Sequence, residues 1–529
     1  MVLIKLLVTV TTFIVSTIGS PSPKYSKPHF NVTDFVETQL LEDPSPYDFP
    51  ILQNGSLAGS GQFPMPLCNG FELEEASIDQ LQAALSRGRL TSVQIVMCYL
   101  ERIYQTDEYL RAVMQVNPEF IQIASALDHE RKLGNLRGPL HGIPFLVKDN
   151  IATKDKLETT AGSWMLLGSI VPRDAHVVKR LRTETDGSVI NPAERNGVVG
   201  IKPTVGLTSR DGVIPESHNQ DTVGCIAKTV RDATYCLDGI YGPDARDNYT
   251  LVQDTPPGGY SQYLTNKTAL QGAIFGLPWL SFWKFADSNQ QSQLLNLISE
   301  IEAAGATIIN GTELPYWQTI ISQDGWDWDY GTTRGYSNES EYTYVAVDFY
   351  NDIVKYLSEL NNTDIRTVED IVQYNIDNVG SEGGLPGVHP AFKSGQDGFL
   401  ASLATGGIMN ETYWEALNFC HRTTREDGID AALYNNGTQL TALLVPPDVA
   451  QTYQIAAQAG YPMITLPAGV SPVDGMPFGL ALMGTAWSEA TLIRYASAIE
   501  DLQQSLVGLQ QKRTSPLWYD YRAKNIPII

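Results

Sequence analysis

Residues 183–224 read "TETDGSVINPAERNGVVGIKPTVGLTSRDGVIPESHNQDTVG". Ser188 follows Asp186-Gly187 in a tight polar turn, a setting that suits a nucleophile. A glycine-containing turn can aim several backbone N–H groups at one developing negative charge. A serine hydroxyl is a weak nucleophile until a base takes its proton, and a desolvated lysine can serve as that base. Read alone, Ser188 could equally be an ordinary turn or helix N-cap serine. The stretch upstream therefore has to supply the base.

Upstream lies "GPLHGIPFLVKDNI", residues 138–151. A Pro/Gly turn leads into a short apolar run, Ile143 to Val147, that reads as a buried strand with Lys148-Asp149-Asn150 at its end. In open α/β sheets ligands bind at the carboxyl ends of strands, so Lys148 is a candidate for chemistry rather than a random surface charge. Between the two sites a helix beginning near Asp174 ends at Arg182 with no Gly, Asn or Pro to stop it, and runs straight into the turn at Thr183. That junction reads as a seam.

Farther out, "SIDQLQAAL" and "TSVQIVMCYLERIY" read as helices, the second with a Thr91/Gln94 capping box, and "PEFIQIASALDHERKLG" as a third closing at Gly134. Downstream, "AIFGLPWL", the helix in "SNQQSQLLNLISEIEAAG" and "ATIINGT" read as strand, helix, strand. "LTALLVPP", "YPMITLPAGV" and "PFGLALMGTAW" read as further strands, and Ser488 as the cap of a last helix. The expected fold is α/β: one large domain with a mixed twisted sheet flanked by helices. Residues 67–505 form this domain, with a variable cap over the site at about 316–430 and a C-terminal tail at 506–529.

The first twenty residues carry Lys5 ahead of an apolar run and small residues near Gly19, the pattern of a secretory signal, with a loosely ordered leader at 21–66 behind it. Acceptor motifs for N-glycosylation at Asn31, Asn54, Asn248, Asn266, Asn310, Asn338, Asn361, Asn410 and Asn436 fit a secreted glycoprotein. Five cysteines are too few for a disulfide scaffold and leave at least one unpaired. The net charge of −23 argues against nucleic-acid partners and against anionic lipid. Seven histidines without ligand spacing offer no metal motif, and no cofactor or membrane partner is expected once the signal is removed.

With Lys148 in "VKDN", Ser163 in "TTAGS", "TETDGS" and the long string to Gly224, the sequence resembles the amidase signature family, especially its secreted fungal members. The resemblance runs from about Phe71 to Leu502. It implies metal-free hydrolysis of a small or peptide-like carboxamide through an acyl-serine, with Lys148 and Ser188 as catalytic residues. The backbone N–H groups of Thr185, Asp186, Gly187 and Ser188 would form the oxyanion hole. The family also carries a strand, helices and a Gly-Ser-rich segment with a bridging serine between the matched helix and the nucleophile turn. Here only forty positions separate Lys148 from Ser188, and that segment, with part of the core sheet, has no counterpart. Three readings are open: an impaired enzyme, an amidase-fold binding glycoprotein without catalysis, or an incomplete form of an active enzyme. Ser163, the serine nearest in sequence to the lost one, reads as structural. His218 and Asp221, three apart, offer a Ser-His-Asp alternative with Ser188 but bring no motif of their own.

Overall fold

A computed structural model describes residues 65–181, 189–320, 336–389, 393–450, 452–473 and 475–506, with the backbone of Ile4–Lys5. The described residues divide into two compact units, 65–148 with 155–157 and 149–154 with 158–506.

In the smaller unit the helices fall where the sequence places them: α1 (Ile78–Ser86), α2 (Ser92–Leu110) and α3 (Phe120–Lys132). Both α1 and α2 start with reciprocal capping boxes, Ser77 with Gln80 and Thr91 with Gln94, each satisfying backbone donors that a helix start leaves open. Leu73, Leu81, Leu85, Leu90 and Ile95 form their core, and the Cys68–Cys98 disulfide ties the entry segment to α2. The expected buried strand at 143–147 does not form over that length. Extended ladder structure is confined to Val147–Lys148. Val147 is buried, but Phe145 and Leu146 are 38% and 37% exposed. A strand is buried only when neighbouring elements cover it, and these two apolar side chains lack such cover.

The larger unit is built on a seven-stranded mixed sheet. Its strands are β1 (Val199–Lys202), β2 (Cys225–Ala227), β3 (Ile274–Leu277), β4 (Thr307–Asn310), β5 (Ala442–Val445), β6 (Met463–Val470) and β7 (Pro477–Met483), in the order β2-β1-β6-β7-β5-β3-β4. The pairs β3–β4 and β3–β5 are parallel, while β5–β7, β7–β6, β6–β1 and β1–β2 are antiparallel. The parallel pair β3–β4 is joined through α7 (Ser288–Ala303), the crossover that parallel strands require. Central strands β5, β6 and β7 are buried almost throughout, which is why their sequences read as continuous apolar runs.

Helices α5 (Ile190–Arg195), α6 (Val230–Ile240), α7 and α13 (Glu489–Ser505) pack on these strands, and α4 (His176–Leu181) packs on α6. The Cys225–Cys236 disulfide joins β2 to α6, and Cys420 is free and buried. The region expected to be a cap holds α8 (Glu341–Glu359), α9 (Val368–Asp377), α10 (Asp397–Thr405) and α11 (Glu411–Thr424), with Tyr344, Val347, Tyr413 and Leu417 between α8 and α11. Against α11 lies α12 (Thr452–Ala459). One cap expectation fails. Ser488 precedes α13, but its hydroxyl donates to the Thr485 carbonyl and makes no cap bond. Among the described residues no helix is long and apolar enough to cross a membrane.

Candidate active site

Lys148 is half-buried at the end of the Val147–Lys148 strand, in the smaller unit. The residues after it belong to the larger unit and are held mainly by backbone bonds. Ile214 N–H donates to the Asn150 carbonyl, Ala152 N–H to Gly212, and Ala175 N–H to Ala152. The buried Asp149 carboxylate accepts from the Thr160 hydroxyl at 2.5 Å and from Gly162 N–H at 3.2 Å, fixing the "TTAGS" turn. Within that turn Ser163 donates to Glu382 at 2.8 Å and accepts from Met165 N–H. Its hydroxyl thus serves a structural role, as its sequence context suggests.

Thr185, Asp186, Gly187 and Ser188 lie outside the described residues, as does Arg182 on the near side of the seam. Just past the turn, Val189 and α5 sit tightly against the sheet because two glycines make room for them. A Cβ on Gly200 would come within 2.7 Å of the Ala193 Cβ, and one on Gly224 within 2.4 Å of a Val189 methyl. Any larger residue at either position would push Val189 and α5 off the sheet.

Beside Val189–Pro192 opens a cavity of about 320 Å³. The loop Glu216–Thr222, helix α8 and helix α12 complete its wall. At one side the buried Glu341 carboxylate accepts from Gln220 and Gln454 amides on one oxygen, at 2.7 and 2.6 Å, and from Gln458 at 3.0 Å on the other. Burial pushes the Glu341 carboxyl up to about 7. Burial likewise pushes Asp221 up to about 7, against N–H bonds from Glu216 and Ser217 that favour its ionised form.

Lys202 was not singled out from sequence. Burial pulls its pKa down to about 7, and its ammonium donates to the backbone carbonyls of Pro203 and Tyr461. "VGIKP" looks like an ordinary strand with a charged end, and only the tertiary packing shows that the lysine is enclosed. With both donor bonds going to main chain, Lys202 pins β1 to the start of β6.

The His218–Asp221 pairing is not present. His218 Nδ1 lies 2.8 Å from Asp352 and 3.8 Å from Asp348, both on α8, while Asp221 caps the backbone of its own loop. Three residues of separation on a turn sends the two side chains to different partners. Ser217, Asn219 and Tyr413 all donate to Asp348, so this network fastens the loop to α8 and α11. Among the described residues no group of three or more His, Cys, Asp or Glu is arranged to hold a metal ion.

Glu194 on α5, 1% exposed, is a further group that sequence reading missed. It accepts from Gly479 N–H, and its protonated form hydrogen-bonds to the neighbouring Asp448 side chain. Burial, reinforced by the nearby Asp448 carboxylate, pushes it up to about 9. An acid raised in the folded state keeps its proton where the unfolded chain has lost it. Stability therefore falls as pH rises from about 4.5 towards 9, by up to ~1.4 kcal/mol per pH unit. Glu194→Gln, neutral at every pH, is expected to flatten the decline in melting temperature between pH 5 and 8 and to melt higher at pH 8. Parallel melting profiles for the two proteins would show that Glu194 ionises normally.

The family model described as Amidase matches residues 94–184 and 183–379. A Schizosaccharomyces pombe protein named as an amidase is 49% identical over 540 residues, covering 88% of this chain and 90% of its own length. An Arabidopsis thaliana protein named as a probable amidase is 34% identical, covering 82% of this chain and 91% of its own. Among solved structures, the peptide amidase of Stenotrophomonas maltophilia is 31% identical with a TM-score of 0.69, covering 83% of this chain and 97% of its own. An amidase family protein of Bacillus anthracis shares the fold at 22% identity, with the same TM-score and 88% and 98% coverage.

Proposed function

The chain belongs to the amidase signature family, a hydrolase family acting on amide C–N bonds, and from that premise we propose a secreted, serine-dependent amidase whose catalytic relay is interrupted in this chain. Ser188 is the nucleophile, and the N–H groups of Thr185 to Ser188 receive the oxyanion. Lys148 is the base. No metal or cofactor takes part. The attacking Ser188 oxygen adds to the amide carbonyl as its proton leaves towards Lys148. Collapse of the tetrahedral intermediate expels the amine, which takes up a proton, and water then releases the acid from the acyl-serine.

The interruption rests on one observation. The family match falls into two stretches that meet at residues 183–184, where the helix lacks a stop signal. Two other features support it. The alignment with the S. pombe relative is 540 positions long, more than this whole chain of 529, although it takes in only 88% of it, so part of the relative faces no residue here. The exposure of Phe145 and Leu146 beside Lys148 is what loss of a covering strand would leave.

Secretion is supported by the leader sequence and by the two disulfides, a bond type at home in oxidising compartments. All seven acceptor asparagines among the described residues (Asn248, Asn266, Asn310, Asn338, Asn361, Asn410 and Asn436) are exposed, as glycan attachment requires. Asn31 and Asn54 lie outside those residues.

A serine-reactive fluorophosphonate tests the assignment of Ser188. Weak but saturable labelling of this chain, lost in Ser188→Ala and mapped by peptide mass to residue 188, is the expected result. Labelling that persists in Ser188→Ala would remove Ser188 from the mechanism. Expression in a eukaryotic host tests secretion. A medium-borne product that loses mass on glycosidase treatment is expected, and an intracellular, unglycosylated product with its first residues intact would overturn that part of the reading.

A further inference from the structure

The cavity beside Val189 is unusual in its balance of hydrogen-bonding groups. Gln220 and Gln454 line it, and both turn their N–H groups to Glu341, because a carboxylate can only accept. Gln220 extends the same N–H group to the Tyr344 hydroxyl as well. The group left for a ligand on each amide is its carbonyl oxygen, and among the described residues no donor reaches either one. Glu216 and Asp221 add acceptors from the loop, and Tyr453 adds an aromatic ring.

Positive charge is scarce there. Among the described lining residues the only cationic side chain is Lys202, and its ammonium is committed to the Pro203 and Tyr461 carbonyls. Arg210, which helps to offset Asp221, is itself locked to Asp247 at 2.6 Å. Enclosed carboxyl groups with so little compensation leave the space at negative potential. A cation entering it would gain both that potential and the bare glutamine oxygens.

We propose that this cavity is a cation-selecting subsite: it takes the positively charged, N–H-rich end of an amide substrate, such as the side chain of a basic amino-acid amide. The role rests on the amidase reading above, since it places the cavity beside the residues that come after the nucleophile. Glu341 acts in it as a positioning residue, turning the oxygens of Gln220 and Gln454 towards the ligand and supplying field. The volume of about 320 Å³ holds a side chain of this size.

Binding tests the proposal on the full chain without requiring turnover. The probes are Nα-acetyl-argininamide and Nα-acetyl-norleucinamide, one cationic and one neutral, titrated calorimetrically at pH 8, where Glu341 and Asp221 are mostly ionised. The arginine amide is expected to bind at least ~10-fold more tightly, equivalent to about 1.4 kcal/mol. Glu341→Gln should reduce that ratio to about two, and Gln454→Glu, which adds a charge at the same wall, should widen it. The second variant reads the site even where the first folds poorly. Equal affinities, binding of neither probe, or a ratio indifferent to both substitutions would overturn the subsite. A cation preference in a chain whose Ser188 fails to label would leave the subsite standing and remove the catalytic reading instead.

Discussion

Inserting the corresponding stretch of the S. pombe relative between Arg182 and Thr183 is expected to raise amide hydrolysis by at least ~1,000-fold. Removing one member of a catalytic triad commonly costs that much, because the remaining groups no longer act as a unit. On the proposed reading the "TETDGS" sequence is kept here, so the backbone proposed to receive the oxyanion is inherited. On that reading, what the insertion restores is a bridging hydroxyl that carries the proton between Ser188 and Lys148. Activity of the restored form should vanish in both Ser188→Ala and Lys148→Ala, measured as release of ammonia from a simple amide. Full turnover by the chain as it stands, abolished by Ser188→Ala, would show that the relay is intact. Restored activity indifferent to Ser188→Ala would move the nucleophile elsewhere.

The same insertion is expected to stabilise the protein. Phe145 and Leu146 follow Ile143 in an apolar run whose alternate residues should be covered, and about 25 cal/mol is recovered for each Å² of apolar surface withdrawn from water. A strand and its helices covering this run should raise the melting temperature by roughly 5 °C or more and reduce aggregation on concentration. Equal melting temperatures and equal solubility of the two forms would mean that the junction at Arg182 is not a seam. Charged substitutions give an independent check. Phe145→Lys should cost little in the present chain, where the side chain is 38% exposed, and much more in the restored one. An equal loss in both forms would place Phe145 in the core already.

Local physics made much of the architecture legible. The Thr91/Gln94 box announces α2 because a helix start leaves backbone donors that only nearby side chains can satisfy, and that requirement is written within four residues. The apolar runs at 442–445, 463–470 and 477–483 announce central strands because burial on both faces admits little else. Ser488 shows the limit of such reading. The residue type was right for a cap, but its hydroxyl found the Thr485 carbonyl instead. The 143–147 run shows a second limit, since an apolar run states that cover is needed and cannot supply it.

By itself, then, the sequence determined the family, the capped starts of α1 and α2 and the central strands, and it offered Lys148 and Ser188 as candidates, because motifs and periodicity act over neighbouring residues. Tertiary structure alone decided which side chains are enclosed together. Glu341 lies 121 positions from Gln220 and 113 from Gln454, and their convergence creates the acceptor-lined cavity. Lys202 and Glu194 look like strand-end and helix-surface charges in the sequence. Their pKa values, drawn down to about 7 and pushed up to about 9, come from burial by β6, β7 and their neighbours. His218 found Asp352, 134 positions away, rather than Asp221 beside it. Desolvation depends on what closes over a group from distant parts of the chain, and no local pattern encodes that.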